Sequence, residues 1–153
     1  MKVTYLQFWL GLSVNLGKAL VICSAILVID ATYRNQAGHP APVINGLLTL
    51  LGVLGTGLVT TYYWRPLGWS RRKMLVRALL HDWLGIFAFI FVQTMLESQA
   101  DFDWEKLFAF FFLSHIYFIW LFILLILLGQ WLALRIWRQR FVLARKATAE
   151  LTN

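Results

Sequence analysis

Long apolar stretches alternate with short polar connections along the whole chain. Four stretches stand out, from about Tyr5 to Ile29, Val43 to Trp64, Leu75 to Leu96 and Leu107 to Leu134. Each meets or approaches the ~20 apolar residues that a helix needs to cross a bilayer. Hydrophobicity is continuous within each stretch. It does not alternate over ~10 residues as in the strands of a membrane barrel. Short connections make successive spans antiparallel neighbours. The predicted fold is therefore all-α: a polytopic membrane protein with four transmembrane helices in an up-down antiparallel bundle. It forms a single membrane domain over residues 1–153, with spans at about 5–29, 43–64, 75–96 and 107–134 and a basic tail at 135–153. No repeat relates the two halves, so an inverted-repeat transporter within one chain is unsupported.

Composition strengthens this picture. Hydrophobic residues make up 60% of the chain and charged residues 14%, too little charge to cover a soluble domain. The placement of the basic residues then gives an orientation. Lys2, Arg65, Arg71, Arg72, Lys73, Arg77, Arg135, Arg138, Arg140, Arg145 and Lys146 are eleven of the fourteen, and all fall on one predicted side. The other side carries Asp30 with Arg34, and Glu97, Asp101, Asp103 and Glu105 with Lys106. By the positive-inside rule both termini are cytoplasmic, and the expected location is a bacterial inner membrane. The net charge of +7 is thus a topology signal and not a nucleic-acid surface. Arg65, Arg71, Arg72, Lys73, Arg135, Arg138 and Arg140 are also candidate contacts for anionic lipids or a partner, although positive flanks are generic. Trp64 and Trp69, beside arginines, are expected as interfacial anchors, as are Trp9, Trp104, Trp131 and Trp137.

The connections and termini add detail. Pro40 and Pro42 give the second span a sharp start, and Ser70 is positioned to cap the third helix. The first span is interrupted by Asn15 and Lys18, unlike a cleaved signal peptide. Leu20-Val21-Ile22-Cys23 departs from a lipobox because Ile22 is large. Cys23 is the only cysteine, so no internal disulfide forms. The fourth span would reach ~42 Å as a helix and must tilt or project into the cytoplasm.

Polar residues inside the spans carry whatever chemistry there is. Asn45, Thr49, Gly52, Thr56 and Thr60 recur at helical spacing in the second span, with Gly55 and Gly57 beside them. Small and hydroxyl residues allow close helix approach in lipid, so this stripe reads as a packing seam before it reads as a pore lining. Lys18 lies mid-span, with Asn15 one turn earlier on the same face. An intramembrane lysine costs ~3 kcal/mol and must face protein or water, unless the span is shifted and it snorkels. His81, Asp82 and Gln93 in the third span and His115 in the fourth complete a candidate intramembrane network with Lys18 and Asn15. The two histidines sit at different predicted heights, which disfavours a bis-histidine haem and leaves only single-ligand haem open. No third ligand has zinc-like spacing. No cofactor and no metal are expected.

No nucleophile motif or phosphate loop is present, and the outer acids read as a solvated loop. The first functional expectation is a non-enzymatic membrane subunit (an assembly, scaffold or sensor component) acting through helix contacts and a basic cytoplasmic surface. Its expected partners are the bilayer, anionic lipids, and other membrane subunits or further copies of itself. The second is a homo-oligomeric channel or transporter component using the polar network. A membrane enzyme ranks third.

Overall fold

The computed structural model describes residues 2–34, 36, 38, 40–97 and 104–151. Four helices follow in order: α1 (Lys2–Tyr33), α2 (Ala41–Trp64), α3 (Arg71–Glu97) and α4 (Trp104–Leu151). A 3-10 turn, Arg65–Leu67, continues from α2. No strand occurs among the described residues. The chain is all-α, as the apolar pattern predicts.

Local chemistry sets the boundaries. α2 begins at Ala41 because Pro40 precedes it and Pro42 lies in its first turn, where a missing N–H costs nothing. The amides of Val43 and Ile44 both donate to the Pro40 carbonyl at 3.1 Å. Gly68 closes the 3-10 turn in the left-handed region, with φ 74°. Ser70 caps α3 as expected, its hydroxyl accepting from the Lys73 amide at 3.3 Å. α1 runs past the predicted end of its span and takes Asp30 into the helix. The tail of α4 is helical to Leu151, so the last element is one 48-residue helix.

Among the described residues, three segments are long and apolar enough to cross a membrane: Tyr5–Tyr33, Ala41–Leu67 and Ile116–Arg140. In α3, Arg71, Arg72, Lys73, Arg77, His81 and Asp82 occupy the first turns, and from Trp83 to Leu96 the sequence carries no charge.

α2 is the central helix and touches α1, α3 and α4. Against α1 it pairs Trp64 with Phe8, Thr60 with Asn15, Thr56 with Lys18 and Asn45 with Asp30. As one number rises the other falls, so these two helices run in opposite directions. Against α4 the approach is backbone to backbone. A Cβ on Gly57 would sit 2.3 Å from the Ile126 carbonyl oxygen, and one on Gly129 would sit 2.3 Å from that of Leu54. Val53, Ala78, Phe122 and Ile126 form a small core between α2, α3 and α4, with Leu50, Leu75, Leu79, Ile86 and Leu125 around it.

Outside this core the helices display large apolar side chains. Leu20 is 70% exposed, Tyr117 75% and Trp120 74%. Large side chains displayed on this scale would aggregate in water and are at home against lipid tails. The chain is a membrane protein by these criteria.

Candidate functional site

The most concentrated chemistry lies where α1, α2 and α3 meet. Lys18 reaches from α1 across to α2. Its stem passes Gly55, where a Cβ would lie 3.1 Å from Lys18 Cδ. Its Nζ donates to the Gly52 carbonyl at 2.5 Å and to the Thr56 hydroxyl. Thr56 Oγ1 in turn lies 2.7 Å from Asp82 Oδ1 on α3. A hydroxyl has one proton to give and two lone pairs to accept with. Accepting from Lys18, Thr56 can donate to Asp82, which makes a directed chain from ammonium to hydroxyl to carboxylate. The competing acceptor is the Gly52 carbonyl at 3.1 Å. Lys18 Nζ also stands 3.9 Å from Asp82 Oδ1, and the side chains retain 21% and 10% exposure. This is a part-buried ion pair, bridged by a neutral hydroxyl.

One turn away, Asn15 Nδ2 donates to Thr60 Oγ1 at 3.3 Å. Asn15 Oδ1 and Asp82 Oδ2 are buried and have no hydrogen-bond partner.

Four of the five seam residues, Asn45, Gly52, Thr56 and Thr60, engage α1, and their partners are polar. Asn45 Nδ2 donates to Asp30 Oδ1. Thr49 differs: its hydroxyl turns back onto the Asn45 carbonyl of its own helix at 2.9 Å. The seam is therefore a hydrogen-bonded interface, while the close backbone contact belongs to the neighbouring face of Gly57.

His81 lies apart from the Lys18 cluster. Its ring packs against Trp64, with centroids 5.4 Å apart. Trp64 itself corrects an expectation. It is no exposed interfacial anchor but is only 1% exposed. It stacks on Phe8 at 5.5 Å and packs against Trp69 at 5.1 Å. Its indole donates to the Phe8 carbonyl at 3.2 Å. The opening for the indole is Gly11, where a Cβ would fall 2.7 Å from Trp64 Nε1. Trp9, Trp104 and Trp131 do face outward. The side chains of Gln93 and His115 lie outside the described residues, as do those beyond Arg140 and the loop acids Asp101 and Asp103.

Basic residues from the turn after α2, the start of α3 and the 135–140 stretch of α4 gather at one end. Trp137 Nε1 donates to the Tyr62 carbonyl at 3.2 Å, and Arg140 Nη1 to the Tyr62 hydroxyl at 2.6 Å. Lys73 Nζ sits 4.3 Å above the Trp69 ring, and Arg135 lies 5.4 Å from that of Trp131. Arg65, Arg71 and Arg138 border a common cavity. Arg72 is exposed.

Two features escape the sequence reading. The pairing of Asp30 with Asn45 was legible only if α1 extends past Ile29. Gln130 on α4 is buried with Nε2 unpartnered. Its signal was a polar side chain inside the apolar run of the fourth span.

The described residues contain no group of three or more His, Cys, Asp or Glu side chains placed to hold a metal ion. Protein-family models, curated proteins and solved structures yield no match to this chain.

Proposed function

We propose that the protein is a non-enzymatic integral membrane subunit of a bacterial inner membrane, working through helix contacts and a basic cytoplasmic surface. The observation that carries this reading is the Lys18–Thr56–Asp82 cluster. The charged groups of the bundle interior face each other across α2 and are consumed in joining three helices. A charge pair used this way fixes the register of helices. The outer faces stay apolar, suited to lipid and to the helices of a partner.

The same reading takes the four helices as four spans running up and down, with both termini cytoplasmic. The start of α1, the end of α2 and the Trp137–Arg140 segment of α4 are held together through Phe8–Trp64 and Tyr62. Those segments carry the basic residues, while Asp30 and Asn45 lie at the opposite end. α3 starts at the basic end, and from Trp83 to Leu96 it carries no charge. That apolar half enters the membrane between its neighbours.

A second reading is a homo-oligomeric conductor of protons or ions. It draws on Asp82 Oδ2 and Asn15 Oδ1, buried acceptors without a partner beside a lysine.

Purification from the native host in gentle detergent, followed by native mass spectrometry, separates the two. The subunit reading expects a complex with a different membrane protein. A closed homo-oligomer whose proton or ion flux in vesicles disappears in Lys18→Met would overturn it in favour of the conductor.

A further inference from the structure

Arg65, Arg71 and Arg138 come from three different elements, yet they line one cavity of ≈ 440 Å³ together with Leu134 and Trp137. Arg65 opens the 3-10 turn, Arg71 opens α3, and Arg138 lies on α4. No carboxylate pairs with any of the three among the described residues. Three like charges bordering one space repel one another, and an anion placed among them offsets that penalty. Each guanidinium offers a planar fork of donors that matches the oxygens of a phosphate group. The start of α3 adds the positive end of its helix dipole.

The walls are set before any ligand arrives. Trp137 is held because the Tyr62 carbonyl needs a donor. The residue four positions on is Pro66, which has no N–H, and the Trp137 indole supplies the bond at 3.2 Å. Arg71 stands at a helix start fixed by Ser70. Arg65 stands at the start of a turn closed by Gly68.

The apolar wall selects among phosphate ligands. Leu134 and Trp137 fall in the last turns of the apolar segment Ile116–Arg140, where it passes into the basic tail. A ligand here meets cations on one side and the edge of the lipid-facing surface on the other. Cavities of ~300–1,000 Å³ hold organic ligands, so the space exceeds the needs of a bare ion.

We propose that this cavity binds the phosphate group of an anionic phospholipid. Arg65, Arg71 and Arg138 take the phosphate oxygens, and Leu134 and Trp137 lie against the glycerol and the first acyl carbons. The proposal rests on the membrane orientation given above and is independent of whether the protein acts as a subunit or a conductor.

The test is lipid retention. The detergent-purified protein is incubated with phosphatidylglycerol or phosphatidylcholine and its lipid adducts are counted by native mass spectrometry. Both lipids carry the phosphodiester, but the arginines repel the quaternary ammonium of phosphatidylcholine, so wild type is expected to retain phosphatidylglycerol about tenfold better, a difference of about 1.4 kcal/mol. The double variant Arg71→Gln/Arg138→Gln should lose that preference, and Arg65→Gln alone should reduce it. Arg72→Gln/Lys73→Gln removes equal charge outside the cavity and should leave the preference in place. Circular dichroism and size exclusion identify any variant that has failed to fold, in which case Arg65→Gln decides. The proposal is overturned if the cavity variants keep the preference, or if the Arg72/Lys73 variant loses as much. It is overturned for a lipid, in favour of a soluble phosphate compound, if inorganic phosphate displaces phosphatidylglycerol at equal concentration.

Discussion

Pro66 leaves the Tyr62 carbonyl without its helical donor, and the Trp137 indole fills the gap from α4. Trp137→Phe keeps the ring and removes that donor. It should lower unfolding stability in detergent by about 1 kcal/mol, read as a shift in the denaturant midpoint, whereas Trp131→Phe should be silent because that ring faces outward. At Thr56 the expected effect is larger. Thr56→Val removes the hydroxyl between Lys18 and Asp82 while preserving shape, so two buried groups lose a partner. The loss should be about 1–3 kcal/mol in the same assay; no measurable change would mean that the hydroxyl is not part of the bridge. Single residues were unevenly legible in the sequence. Lys18 was conspicuous because a mid-span lysine is costly. That it points at Asp82 was hidden, since the separation of 64 positions says nothing about register. Trp64 was misread because tryptophan beside arginine fits an interfacial belt as well as a core. The glycine that admits it, Gly11, lies on another helix.

At the level of elements, the polar stripe of α2 identified a helix contact but not its division of labour. Asn45, Gly52, Thr56 and Thr60 bond to α1, while Gly57 meets Gly129 on α4 backbone to backbone. Spacing alone marks a face; only the partner helix shows which glycine is crowded. Gly129→Ala should therefore be destabilising by at least about 2 kcal/mol, in the range for overpacking a tight contact. Gly46→Ala, at a site with open space around the Cβ position, should be neutral or stabilising by up to about 1 kcal/mol through helix propensity. Equal behaviour of the two variants would contradict the close α2–α4 approach. The third helix shows the opposite limit. Its apolar half was legible, but six polar or charged residues in its first turns blur where a span would begin. In a bundle such a helix is sheltered by its neighbours, a circumstance that hydropathy cannot register.

For the whole molecule, the charge asymmetry and the contacts around Tyr62 agree in placing the basic segments at one end. Single cysteines introduced at Gln36, Ser70 and Gln139 in a Cys23→Ser background make this testable in intact cells. Ser70→Cys and Gln139→Cys should be protected from an impermeant thiol reagent until the membrane is opened, and Gln36→Cys should react at once. Labelling of Gln36→Cys and Ser70→Cys from the same side would refute the proposed topology. At this scale the sequence was most informative, because membrane insertion acts on averages over ~20 residues. It was least informative about what binds the basic end, since generic stop-transfer charge and a three-arginine cavity share one composition. The cluster of Lys18 and Asp82 belongs to the same scale, because it ties the first three helices into one body. The most direct measurement is a double-mutant cycle on that pair, with Lys18→Met, Asp82→Leu and the double variant unfolded in the same detergent. Each single change strands a buried charge and should cost about 3 kcal/mol, and the double variant should recover most of the loss. Additive losses, with no coupling between the two positions, would contradict a structural ion pair at the centre of the bundle.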